Sequence, residues 1–292
     1  MASDAIEKNT TGSQNIGVGQ NACEQNTVGR GNTAVGNGVL KNNKEGEQNV
    51  AIGEAALEEA AFIQYSVAVG ALAQVKSKGE ASVAVGYGAL ENAEHGGQVA
   101  IGFGALTDTN TGESNVAIGY KSLHSNKVGS KNVAVGISTL NGATASANVA
   151  IGYHALEAMT TGVENVAVGC EAMSLGTEAK QNVAVGYHAL QENKTGAKNV
   201  AIGYKAGSEN ESGSGNVFVG WEAGHKEKGS NKLYIANSET TEPLVFGNFE
   251  TKELRLFATK LGFFGHAAVV QPAKPTTLEG VIKALEELGL VA

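Results

Sequence analysis

A motif that returns every sixteen or seventeen residues constrains this chain more than any other feature. The motif Asn-Val-Ala-Ile/Val-Gly recurs thirteen times, seven times in full and six times with one or two substitutions. Its closing glycine falls at Gly19, Gly36, Gly53, Gly70, Gly86, Gly102, Gly119, Gly136, Gly152, Gly169, Gly186, Gly203 and Gly220. The interval is 17 residues nine times and 16 residues three times. So short a period is one coil of a solenoid or fibre and too little chain for a folded domain. The expected fold is an all-β parallel β-helix or β-roll, a rod that acts by reach and display.

Composition narrows the alternatives. Glycine is abundant at 40 of 292 residues, but it does not recur at every third position and there are only three prolines, which excludes collagen. Apolar residues make up 42% and hold fixed slots, unlike a disordered low-complexity segment. A formal charge of -8 argues against non-specific nucleic-acid binding. The first residues carry no basic or apolar leader pattern and no run of 18 apolar residues occurs, so neither a signal peptide nor a membrane span is expected. Cys23 and Cys170 lie nine repeats apart. At about 4.8 Å per coil that is about 40 Å along a rod, too far for a disulfide.

Each slot can be counted from the motif glycine. The residue before it is Val or Ile in all thirteen copies, the second before is Ala in eleven, and the third before is Val in eleven. β-branched residues at this density favour strand. Alternate strand residues share a face, so the two Val/Ile slots and the slot after the glycine line one side while Ala and Gly line the other. The bulky side is expected to fill the coil's own core. The flat Ala/Gly side is expected to admit a neighbouring copy in a parallel homo-oligomer.

The fourth slot before the glycine is Asn in ten copies, including Asn115, Asn132, Asn148, Asn165, Asn182, Asn199 and Asn216. Stacked coils would bring these amides into a ladder that satisfies its own donors and acceptors. The slot after the glycine is aromatic in seven copies, among them Tyr87, Phe103, Tyr120, Tyr187, Tyr204 and Trp221, and reads as a packing ladder rather than a row of sugar platforms. His154 and His188 occupy the next slot, two coils apart, and are expected in solvent; about 10 Å is too far for a shared metal. A second glycine, seven residues before the first in nine copies, reads as a turn position with positive φ.

Chemistry-bearing patterns are missing. Asp4 and Asp108 are the only aspartates, against the recurring Asp of calcium-binding β-rolls. The Glu residues fall in the connecting segments and converge in no slot. No zinc spacing, phosphate loop or nucleophile elbow occurs. The expectation is a protein without catalytic residues, cofactor or metal.

The pattern breaks near the C-terminus. A degenerate fourteenth copy is expected at Asn231–Ala236, followed by short strands over 244–249 and 253–257. Pro272 and Pro275 then precede Thr276 with Glu279 three residues on, a capping-box signature. The helix that follows carries Leu278, Val281, Ile282, Leu285 and Leu288 on one stripe and is expected to trimerise the chain. The domain reading is a 1–11 attachment segment, a 12–231 solenoid, a 232–271 β-rich cap and a 272–292 trimerisation helix.

The repeats at Asn115–Tyr120 and Asn199–Ala206 resemble the head repeats of trimeric autotransporter adhesins, which are trimers of left-handed parallel β-rolls. They are still more similar to arrays in phage and viral fibre-like proteins, as are the segment from Leu233 to Gly247 and the ending from Lys260 to Pro272 with its short helix. The autotransporter repeats are shorter, and that family's signal peptide, coiled-coil stalk and barrel anchor have no counterpart here. The resemblance therefore implies a virion-surface homotrimer, a tail or head fibre that spaces, decorates or attaches to a host glycan or protein receptor in company with other virion proteins. A glycan-binding cell-surface adhesin is the alternative, and a fibre-borne polysaccharide depolymerase a lesser one.

Overall fold

A computed structural model describes residues 4–109, 111–142, 144–258, 260–261, 269–270 and 282–283. The chain is a parallel β-solenoid. Each repeat contributes one three-residue strand, from β1 (Ile16–Val18) to β13 (Val217–Val219), and each strand pairs in parallel with the one a coil away. The pairing is slot on slot: Val166, Ala167 and Val168 lie against Val183, Ala184 and Val185. Where an interval is 16 residues the strands still meet in the same slots, as Val67 with Val83 and Val133 with Val149. The missing residue is therefore absorbed in the turns.

The coil is turned the opposite way from the expectation. The Ala slot points inward and is fully buried at Ala51, Ala100, Ala150, Ala184 and Ala201. The Val/Ile slots point outward and stay partly exposed, to 37% at Ile118, 44% at Ile202 and 55% at Val18. Period-two alternation fixes which residues share a face but not which face is inside. The width of the coil decides that. A 17-residue loop with one short strand has a narrow interior, and the far wall already supplies Ala and Leu, as Ala189 and Leu190, both fully buried. Only a methyl fits opposite them.

The far wall is a run of tight turns. In one coil Ala189 N–H donates to Gly186 O at 3.3 Å, Gln191 N–H to His188 O at 3.3 Å and Asn193 N–H to Leu190 O at 3.0 Å. The intervening amides reach the next coil: Leu190 N–H bonds Ala206 O at 3.0 Å and Glu192 N–H bonds Ser208 O at 2.9 Å. This alternation requires left-handed backbone at every second residue, with φ 54° at His188 and 49° at Leu190. Left-handed backbone costs about 1–2 kcal/mol for a side-chain-bearing residue. Hydrogen bonding to both the turn and the next coil, together with burial of the Leu side chain, offsets that cost.

Both glycine columns follow from coil-to-coil approach. The motif glycine holds a φ open only to glycine, 137° at Gly186, and a Cβ at Gly36 would lie 2.7 Å from Gly53 O. The second glycine does not need a positive φ at Gly46, Gly112, Gly162, Gly196 or Gly213, contrary to the sequence reading. It is there because a side chain would strike the carbonyl of the next coil, as at Gly29, where a Cβ would sit 2.5 Å from Gly46 O.

The ends of the array change the core by exchanging volume. Phe218 takes the inward Ala slot of β13 and is fully buried, while Gly207 and Gly224 replace Leu in the turns before and after that strand; a Cβ at either would run into the Phe218 ring. At the other end Ile6 lies against Gly17, which replaces Ala. Ile6 N–H bonds Ala22 O at 2.9 Å, Lys8 N–H bonds Glu24 O at 3.2 Å and Thr10 N–H bonds Thr27 O at 2.9 Å. Residues 4–11 thus form the turn side of a further coil and belong to the shaft, where the sequence reading has an attachment segment. Residues 1–3 lie outside the described residues.

Beyond β13 the sheet changes direction. β14 (Lys232–Ile235) is parallel to β13 and is the fourteenth copy; β15 (Val245–Asn248) and β16 (Glu253–Leu256) follow antiparallel. Phe218, Tyr234 and Phe246 form a chain of tilted and edge-on rings with centroids 5.9 and 5.3 Å apart. A small antiparallel pair, β17 (Lys260–Leu261) and β18 (Val269–Val270), comes next. Of the expected helical stripe, Ile282 is helical and exposed; Leu278, Val281, Leu285 and Leu288 lie outside the described residues.

One defect in the Leu column gives a stability test. Gln74 occupies it between Leu57 and Leu90, fully buried, with its Oε1 unpartnered. Replacing a buried unsatisfied amide by an apolar side chain of similar size removes a cost of about 1–3 kcal/mol. Gln74→Leu is expected to raise the unfolding free energy by about 1–2 kcal/mol in denaturant titration.

Candidate functional site

Two continuous features run the length of the shaft: a buried polar column inside and an apolar face outside. The inner one is the asparagine ladder, with Asn115, Asn132, Asn148, Asn165, Asn182, Asn199 and Asn216 all fully buried. Asn165 shows the repeating bond set. Its N–H and Nδ2 both reach Asn148 Oδ1, at 3.0 and 3.1 Å, and Nδ2 also reaches Ala179 O at 2.7 Å. Its own Oδ1 accepts from Asn182 N–H and Nδ2 at 3.0 and 3.1 Å. Each amide thus fastens two coils and ties the strand to the turn opposite. Ser66, Ser82 and Gln98 interrupt the column in consecutive coils, and Ser82 N–H still reaches Ser66 Oγ at 3.4 Å.

A second polar column went unread in the sequence. Asn43, Asn126 and Asn210 are buried seven residues after the motif glycine, and each Oδ1 accepts from the glycine N–H three residues on, at 3.0, 2.9 and 2.7 Å. The signal is present as a recurring Asn-x-x-Gly, an Asx-type turn closure.

Outside, the two Val/Ile columns and the column after the glycine lie side by side. Glu54 is the one charged residue in these three columns over thirteen coils. The face continues past the repeats, because Leu233 and Ile235 pair across from Gly247 and Val245, and these from Leu254 and Leu256. Residues directly opposite in a sheet share a face. Leu254 is 65% exposed.

The aromatic column stacks as expected but on the outer surface. Tyr87, Phe103 and Tyr120 lie ring on ring with centroids 5.3 and 5.4 Å apart, and Tyr187, Tyr204 and Trp221 at 5.2 and 4.1 Å, with interplanar angles of 8–15°. Ring faces within each stack cover one another and present edges outward.

The histidines are not free in solvent. His154 and His188 stack on Tyr153 and Tyr187 at 3.9 and 3.8 Å. His154 Nδ1 pairs with Glu157 at 2.5 Å, and His188 Nε2 lies 3.2 Å from Glu171 without hydrogen-bond alignment. Burial lowers the His188 pKa below the usual imidazole value, against the smaller opposing pull of Glu171. Cys23 is buried, which pushes its thiol up to about 11, and Cys170 sits unpaired in the outer column with its pKa raised by desolvation and by Glu171.

One cluster has the outline of a hydrolytic relay. Ser208 Oγ is 2.5 Å from His225 Nδ1, and His225 Nε2 is 3.4 Å from Glu209 Oε1. The serine is buried and does not line the neighbouring cleft of about 500 Å³, which is formed by His225, Lys226, Glu227, Tyr234, Glu239 and Thr240 among others. The amides of Ser208 and Glu209 are bonded to Lys205 O and His225 O and are not free to receive an oxyanion. Among the described residues no three His, Cys, Asp or Glu side chains are grouped to hold a metal, and no helix is long and apolar enough to cross a membrane.

No family model, curated protein or solved structure matches the chain.

The ladder predicts a graded mutational response. Asn165→Ala strands Asn182 N–H and Ala179 O in the interior and is expected to cost about 2–4 kcal/mol in chemical unfolding. Asn165→Ser, which keeps an acceptor of the kind found at Ser66, is expected to cost less than half of that.

Proposed function

We propose that this chain is a structural fibre component: a homotrimeric, rigid spacer on a virion surface that decorates the particle or carries it to a host glycan or protein receptor. The observation that carries the reading is the uninterrupted stack of thirteen coils whose outer strand face is apolar over most of its length, with Gln20, Asn37 and Glu54 confined to one edge column of the first three coils. At about 4.8 Å per coil the shaft is about 60 Å long, and the face about 13 Å wide, or about 800 Å². Soluble monomers rarely expose a contiguous apolar patch beyond about 300–600 Å². The virion setting rests on the resemblance of the repeats and the C-terminal segments to phage and viral fibre-like proteins.

Geometry weighs against the two rivals. A glycan-binding adhesin would use open ring faces, and within the stacks those are covered. A depolymerase would need converging carboxylates, whereas no slot of the repeat is Glu in most copies, and several Glu side chains pair with Lys or His of a neighbouring coil, as Glu211 does with Lys194 at 3.0 Å. These are exposed pairs and add little stability. The proposed protein has no catalytic role and no cofactor.

Sedimentation equilibrium tests the assembly. The expected species has three times the 29.8 kDa chain mass across the concentration range. A lone 29.8 kDa species at every concentration sinks the proposal.

A further inference from the structure

The outer strand face has no partner within the chain, and its chemistry specifies what covers it. We infer that this face, and not the Ala/Gly side, seats a second copy of the same chain, packed parallel and in register. The inference rests on the oligomeric fibre reading and adds the contact face and its polarity.

Three observations carry it. The first is area: each copy brings about 800 Å² to the contact, the amount that a partner in a stable protein–protein interface buries, and in a trimer the face meets both neighbours. The second is charge. The chain carries a net -8, yet only Glu54 in the three columns is charged, so two such faces meet without desolvating buried ion pairs. An anionic, cationic or strongly polar partner finds nothing to pair with there.

The third is asymmetry along the column after the glycine. Its first four members are Gln20, Asn37, Glu54 and Ala71, and from Tyr87 onward it is aromatic or large apolar except at Cys170. Parallel, in-register copies set the small and polar end beside itself and the aromatic ladder beside itself. An antiparallel pair would press Trp221, Tyr204 and Tyr187 against Gln20, Asn37 and Glu54. Like-with-like packing also keeps the exposed Ile235, Leu254 and Leu256 of successive copies together at one end.

Cysteine cross-linking in the full chain reads both face and polarity. Cys170 is first replaced by Tyr, the residue most common in its column, and Cys23 is buried. Ile202→Cys, in the middle column near one end, is expected to give covalent dimers with itself under mild oxidation. Lys194→Cys, on an exposed outer turn, is expected to give at least tenfold less. Antiparallel packing would leave Ile202→Cys uncross-linked alone but link it when mixed with Val35→Cys, and that result overturns the polarity. An oligomer by sedimentation in which Lys194→Cys links and Ile202→Cys does not overturns the face while leaving the fibre reading intact. A monomer overturns both. Ile202→Lys gives a second reading: it should abolish the oligomer while the circular dichroism of the fold is kept, and an unchanged oligomer contradicts the inference.

Discussion

Coils stacked slot on slot, about one β-strand spacing apart, are the constraint from which the other features follow. At that distance backbone meets backbone around the whole coil, and the strand amides and every second turn amide find their partners one repeat away. The motif glycine exists because its Cβ would occupy the place of the next carbonyl. The asparagine column exists because identical amides at this spacing satisfy one another and also tie strand to turn. The same registry stacks the tyrosines outside and puts leucine over leucine inside.

Much of this was legible in the sequence, and the parts that were not have identifiable causes. The period gave the solenoid, and the Asn slot gave the ladder. Direction was misread because alternation says which residues lie together, and Val and Ile are ordinarily the buried ones. Here the interior is too narrow for them, and Leu190, with its neighbours in that column, is the clue: the core's large side chains come from the turn side. Left-handed backbone at Leu140, Leu156 and Leu190 was equally hidden, since leucine rarely adopts it and no local residue choice announces it.

The candidate functional surface was legible in composition but placed on the wrong side. The three outer columns were recognised as apolar, and their near lack of charge stands in the sequence. What the sequence withheld was their exposure. The histidines show a related effect: His154 and His188 follow aromatic residues in chain order, but only the coil's curvature lays each imidazole on the ring before it. The exchange of Phe218 for the flanking Gly207 and Gly224 was visible as three anomalies in the repeat and becomes one event once the interior is known.

The account stands on the inward turn of the alanine column, and thermal unfolding of two single substitutions in one strand tests it directly. Ala184 is fully enclosed, so Ala184→Leu overpacks the interior and should cost about 2–3 kcal/mol. Val185 is partly exposed on the outer face, so Val185→Leu should change stability by less than about 1 kcal/mol. A harmless Ala184→Leu beside a damaging Val185→Leu would mean that the coil is turned the other way, and the outer apolar face would be lost with it.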